Sequence, residues 1–173
     1  MPHGYGSPLA GYAVGPSGRT VPYASWWARF GAQLLDGSIA MAVILIPLVA
    51  GLILAFKDAQ TDSHGNITGG VSAVGVPILV VSALFSFGFD LWNRGIRMGS
   101  KRQSFGRQIV GISTVRGDSG AFLGGGAGFL RWLMAVVFNS ISRLGLLDVL
   151  WPLSDDTSQA LHDKVVGSVV LKK

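Results

Sequence analysis

The 173-residue sequence has no cysteine and no glutamate; its nine acidic residues are all aspartate. Without thiols there can be no disulfides, no thiolate nucleophile and no thiolate metal site, and the redox compartment leaves no mark. Charge of either sign is scarce. Charged residues make up 13% of the chain, against about 25% in a typical soluble domain. Apolar residues take their place: 49% of the sequence is hydrophobic and the mean hydropathy is +0.48. That balance points to a membrane protein of a single domain. The net charge is +5. In so apolar a chain it reads as positive-inside loops and anionic lipid headgroups as partners, not as a nucleic-acid footprint.

Residues 1–24 are rich in Gly, Pro, Tyr and Ser and show no apolar periodicity, which predicts a disordered cytoplasmic tail. The rest, 25–173, reads as the membrane domain. Trp26 and Trp27 mark a membrane interface. The first span follows from about Gly31 to Phe56, with Pro47 as a point for a kink. The long preceding segment, an Asp early in the apolar core and a further span downstream argue against a cleaved signal peptide. The polar, turn-rich stretch 57–70 separates this span from a second at about 71–92. There Gly75, Ser82, Ser86 and Gly88 allow close helix approach. Asp90 and Arg94 stand at i,i+4 spacing near its end.

Residues 93–117 then carry Arg94, Arg97, Lys101, Arg102, Arg107 and Arg116 with no acid, whereas the first interspan loop has one Lys and two Asp. The positive-inside rule puts the basic segment, and with it the N-terminus, in the cytoplasm. Arg94, Arg97, Lys101, Arg102 and Arg107 are the candidates for headgroup contact or topology setting. A third hydrophobic segment, about 127–152, contains Arg131, Asn139, Arg143 and Asp148. Two arrangements remain open for it: a third crossing, or a re-entrant or interfacial helical hairpin broken near Asn139 to Gly145. The β-branched stretches at about 108–116 and 165–171 can pair as a small cytoplasmic β ladder, which requires the hairpin. The fold class is therefore an all-α integral membrane protein, with two clear transmembrane helices, a third hydrophobic helical segment and a small β pairing.

Asp36 is the anomaly. A carboxylate near the bilayer centre costs roughly 2.5–3.5 kcal/mol on insertion scales. Arg29 stands about two turns before it on the same helix face, too far along the axis for an i,i+4 contact. Each needs another partner, and Asp163 in "LHDKVVGSVV" is the candidate bridge, because buried charges persist only when paired.

In these residues the chain resembles the RDD family of bacterial membrane proteins, which has one arginine at the start of the first span, an aspartate within it and a second aspartate near the C-terminus. Here those are Arg29 and Asp36 in "WWARFGAQLLDGSIA" and Asp163 in "LHDKVVGSVV". "SFGRQIVGISTV" and "GFLRWL" resemble further family segments, and the likeness runs over about residues 23–171. Ala28 stands where a paired arginine is common, and Ser168 where Thr is usual. Some members of the family are associated with cation–proton exchange, and others accompany larger membrane complexes or lipid-transport systems.

Two roles follow. In the first, the chain is an accessory or assembly subunit of a larger membrane complex, and Arg29, Asp36 and Asp163 form a buried structural charge network. In the second, it is a cation or proton transporter working as a homo-oligomer, with Asp36 binding the ion and His162 as a relay. No catalysis is expected. His3, His64 and His162 are scattered, no G-x-S-x-G elbow occurs, and "GGGAG" at 124–128 lacks the Lys and Ser/Thr of a phosphate loop. No metal spacing and no cofactor motif is present.

Overall fold

The computed structural model describes residues 12–15, 17–68 and 75–173. The chain divides into two compact units: one joins the stretch ending at Asp36 to Leu91–Lys173, and the other is Gly37–Asp90.

In the first unit the polypeptide opens with a hairpin, β1 (Tyr12–Val14) against β2 (Thr20–Pro22). This corrects the expectation of a disordered tail through residue 24, although residues 1–11 and 16 lie outside the described residues. The hairpin is held by apolar residues too few to show as a period. Ala13, Val21 and Tyr23 pack on Val115, Val169 and Leu171, and Ala24 donates its N–H to the carbonyl of Val170 (2.8 Å). Helix α1 (Trp26–Phe56) begins immediately after, earlier than the apolar run alone suggests. Ser25 accepts from the Ala28 N–H at 3.3 Å, satisfying one of the free donors of the first turn. Trp26 is more than an interface marker: its indole N–H donates to the carbonyl of Val149 (2.8 Å).

In the second unit the apolar part of α1 runs antiparallel to α2 (Gly75–Asp90), and Gly51 faces Leu79 while Gly75 faces Ala55. A short hairpin, β3 (Gln60–Thr61) with β4 (Ile67–Thr68), lies between them in sequence. The helix that starts as α2 does not stop at Trp92. It continues through a π-helical stretch (Leu91–Arg97) into α3 (Met98–Lys101). Together α1 and this composite helix, Gly75–Lys101, are the two long and apolar enough to cross a membrane among the described residues. Much of the expected cytoplasmic basic loop is thus helical. The π turn buries Asn93, Gly95 and Arg97.

Helix α4 (Phe105–Val110) follows, then β5 (Ile112–Arg116). The expected strand from residue 108 is therefore shorter, because Ser104 caps a six-residue helix that Gly111 closes with φ 76°. β5 pairs antiparallel with β6 (Ser168–Lys172), with Thr114 opposite Val170. One face of this ribbon carries Val115, Val169 and Leu171 toward the N-terminal hairpin; the other carries Ile112 and Val170 toward Ala24 and Ala32 of the α1 start.

The third hydrophobic segment is a hairpin. Helix α5 (Gly125–Ser140) ends at an extended Ile141, and α6 (Ser142–Leu150) returns along it. Asp148 and Arg131 both reach His162; a straight helix would hold them about 25 Å apart. After α6 the chain passes through the short helix α7 (Leu161–Val165) into β6. Against α5 lie the π stretch and α3. A Cβ at Gly99 would fall 2.3 Å from the carbonyl oxygen of Gly124, and one at Gly128 would fall 2.4 Å from that of Gly95. Two small-xxx-small pairs thus interlock, and "GGGAG" is a helix-crossing surface.

Candidate functional site

Two buried carboxylates organise the first unit. Asp36 is 4% exposed and faces protein. Its Oδ1 accepts from Asn93 Nδ2 (2.9 Å) and the backbone N–H of Gly106 (2.8 Å). Its Oδ2 accepts from the Ser104 hydroxyl. Asn93 in turn accepts from the Phe105 N–H (3.0 Å). All three donors to Asp36 are neutral. Gly106 is required by distance: a Cβ there would lie 2.1 Å from the carbonyl oxygen of Ala32. Asp36 therefore staples α1 to the start of α4 and to the π stretch.

Asp163 is 1% exposed and takes four donors. Oδ1 accepts from Arg131 Nε (2.7 Å) and the Ser168 hydroxyl (2.9 Å), while Oδ2 accepts from Arg29 Nη1 (3.0 Å) and the Ala160 N–H (3.3 Å). Burial drives this carboxyl upward, but the fields of the Arg131, Arg29 and Arg107 cations outweigh it and hold the group well below the usual carboxylate range. Arg29 also donates to the carbonyls of Ala24 (3.3 Å) and Val170 (3.4 Å), tying the α1 start to β6.

From Arg131 the network runs on. Its Nη2 meets His162 Nε2 at 2.7 Å, and His162 Nδ1 meets Asp148 Oδ2 at 2.6 Å. Asp148 also accepts the His162 N–H (2.9 Å). Burial and the Arg131 charge push the His162 imidazole below its ordinary value, against the pull of Asp163 and Asp148.

The structure thus brings Arg29 and Asp163 into one ion pair and places Asp36 in a neighbouring, neutral-donor setting. Arg107 responds to both centres. Burial drives its guanidinium down to about 9, with Arg131 and Arg29 adding to the fall and Asp163 and Asp36 opposing it. It remains a cation at neutral pH, with its Nη1 donating to the Thr114 hydroxyl. Arg107 and Arg97, both candidates for headgroup contact or topology setting, thus have internal partners. Arg97 is 9% exposed and donates to the Gln103 carbonyl (2.8 Å) and the Gln108 side chain (2.6 Å). Its guanidinium lies 4.0 Å over the Phe105 ring. Arg94 is half-buried, while Lys101 is exposed and Arg102 borders it.

Arg131, Asp148, Asn93, Ser104 and Gly106 were not foreseen as site residues. Arg131 and Asp148 carry a signal, since each is a charge inside an apolar segment, but their partner lies across a chain reversal. Ser104 and Ser168 are fully buried, and each donates its hydroxyl to a carboxylate. Both ring nitrogens of His162 are engaged. Among the described residues no group of three acidic, histidine or cysteine side chains is placed to hold a metal ion.

The sequence pattern of the RDD family matches residues 23–167. The chain belongs to the RDD family. Within that match lie Arg29, Asp36, Arg131, Asp148 and Asp163; β6 lies just beyond it. A protein of Mycobacterium leprae (strain TN) called "Proline-rich antigen" is 26% identical over 165 residues, covering 91% of this chain and 65% of the relative. A "Proline-rich antigen homolog" of Mycobacterium tuberculosis (strain CDC 1551 / Oshkosh) is 29% identical over 160 residues, covering 87% of this chain and 65% of the relative. The chain thus spans a little under two thirds of the length of these relatives. No solved structure matches it.

Proposed function

We propose that this RDD protein is an accessory or assembly subunit of a larger membrane complex in the plasma membrane, with no catalytic step of its own. In this reading the N-terminus and the β5–β6 ribbon lie on the cytoplasmic side. The Arg29–Asp163–Arg131 centre and the Asp36 staple then form a structural clasp. They hold the C-terminal segment and α4 on the start of α1, and buried charge sets register there even where it adds little net stability. The observation that carries this reading is that each oxygen of both carboxylates accepts from an internal donor. A transported cation would compete with these donors, so ion binding at Asp36 is the lesser reading. It is kept by one feature: the donors around Asp36 are neutral, as a site that exchanges a proton or cation would need.

Extraction from native membranes in mild detergent, followed by sizing and mass spectrometry, tests the proposal. A stoichiometric protein partner supports it. A homo-oligomer with no partner overturns it in favour of transport, and cation flux with Asp36→Asn in vesicles then decides whether that carboxylate carries the ion.

A further inference from the structure

One cavity of the first unit stands apart from both carboxylates. Its volume is about 360 Å³, within the range of about 300–1,000 Å³ usual for small-molecule sites. Lys101, Arg102, Lys172 and Lys173 line it, and no acidic side chain does. These cations come from places remote in sequence. Lys101 ends α3 and Arg102 follows it, while Lys172 ends β6. The β5–β6 ladder and the hydrogen bond from the Thr114 N–H to the Arg102 carbonyl (2.7 Å) hold them together. Lys101, Lys172 and Lys173 are exposed and Arg102 is half-buried, so the rim of the cavity carries a positive field that draws anions.

Arg102 closes α3 with a left-handed backbone at φ 64°, the conformation in which many helices end. In that state the guanidinium lies 3.8 Å over the Phe122 ring, and its Nε is buried with no hydrogen-bond partner. The ring fixes one plane of the guanidinium and leaves its fork to a planar or tetrahedral oxyanion. Ser113 adds a hydroxyl, whereas Val21 and Leu171 give the cavity an apolar side. An anion with a short carbon skeleton suits such a lining better than a bare inorganic ion.

We propose that this pocket binds an organic phosphate of headgroup size, with a glycerophosphate group as its minimal ligand. Lys101 closes a helix long enough to cross a membrane, so an anionic phospholipid headgroup and a soluble organophosphate are both within reach. The proposal stands independently of the accessory-subunit reading.

The test uses the full chain in two arms. In one, nanodiscs of equal phosphatidylcholine and phosphatidylglycerol are followed by native mass spectrometry of retained lipid. In the other, the detergent-solubilised protein is dialysed against glycerol 1-phosphate. The pocket variant is Lys101→Gln/Arg102→Asn/Lys172→Gln; asparagine tolerates the left-handed backbone. The control is Arg19→Gln/Lys57→Gln/Arg143→Gln, which removes the same charge from exposed positions. A preference for phosphatidylglycerol that falls about tenfold in the pocket variant but not in the control assigns the lipid. The same pattern with glycerol 1-phosphate alone assigns a soluble phosphate. A pocket variant equal to the natural chain in both arms, or a control that loses as much, overturns the proposal.

Discussion

His162 Nε2 lies 2.7 Å from Arg131 Nη2, and that contact decides where the imidazole proton sits. A guanidinium only donates, so Nε2 must be the acceptor. The proton is then on Nδ1, which donates to Asp148. A neutral histidine satisfies both contacts, while a charged one would set a donor against a donor.

The pH dependence follows. Burial and Arg131 depress the folded-state value of His162 below its ordinary 6.5. The unfolded chain therefore binds the extra proton first. Stability is fully present above about pH 6.5 and declines as pH falls from there toward the depressed folded value. Asp163, also depressed, adds its loss only below its ordinary 3.8. Thermal unfolding in one detergent from about pH 8 to pH 5 should show this decline, and His162→Asn should flatten it. Nitrogen shifts of the ring report the tautomer directly. A protonated Nε2 at neutral pH would refute the assignment.

Asp163 should be the least replaceable member of the network. Asp163→Asn leaves the Arg29 and Arg131 guanidiniums buried without their counter-charge, an arrangement that costs about 3–5 kcal/mol. Arg29→Met removes one cation and leaves Asp163 paired with Arg131, for a loss of about 1–3 kcal/mol. Unfolding midpoints in the same detergent measure the order. Equal losses would mean that the centre is not built around Asp163.

Asp36 is predicted to hold α4 in place. Asp36→Asn removes charge-assisted acceptance from Ser104, Asn93 and Gly106, bonds of about 1.5–3 kcal/mol each when charged, and the remaining amide oxygen recovers part of that. Hydrogen exchange should quicken at Gly106 and Arg107, whose N–H groups sit at this junction. Faster exchange confined to α1 would show that Asp36 serves its own helix alone.

How much of this was legible in sequence depends on how local each signal is. Arg29, Asp36 and Asp163 stand out because a charge in or beside an apolar run demands a partner, and a family resemblance groups them. The Asp163–Arg29 contact follows from that demand. The partners of Asp36 do not, because Asn93, Ser104 and Gly106 are unremarkable residues whose roles arise only when a π turn and a capped six-residue helix meet α1. Charge counting offers Arg97 and Arg107 for headgroup contact or topology setting, but not their internal partners: Phe105 and Gln108 engage Arg97, and the Thr114 hydroxyl engages Arg107. The N-terminal hairpin was hidden by composition. Its few apolar residues gain meaning only against the β5–β6 ribbon, far downstream in the chain.

Two glycines of α5 separate packing from propensity most cleanly. Gly126 has open space where a Cβ would stand, and its φ is not in the left-handed region. Gly126→Ala should therefore stabilise by about 0.5–1 kcal/mol, through helix propensity and a less free unfolded chain. A Cβ at Gly128, two residues on, would fall 2.4 Å from the Gly95 carbonyl oxygen and 2.9 Å from the Gly99 Cα. Those are backbone atoms that no rotamer change can move aside, so Gly128→Ala must part α5 from the π stretch and α3. Overpacking of this kind costs about 1–3 kcal/mol. Since Arg131 rises from the same helix less than one turn later, the displacement should also loosen its contact with Asp163 and move the His162 ring resonances. Opposite signs for the two alanine variants, read as unfolding midpoints, are the expected result. A shift of like sign would mean that the helix crossing is looser than the glycine contacts require.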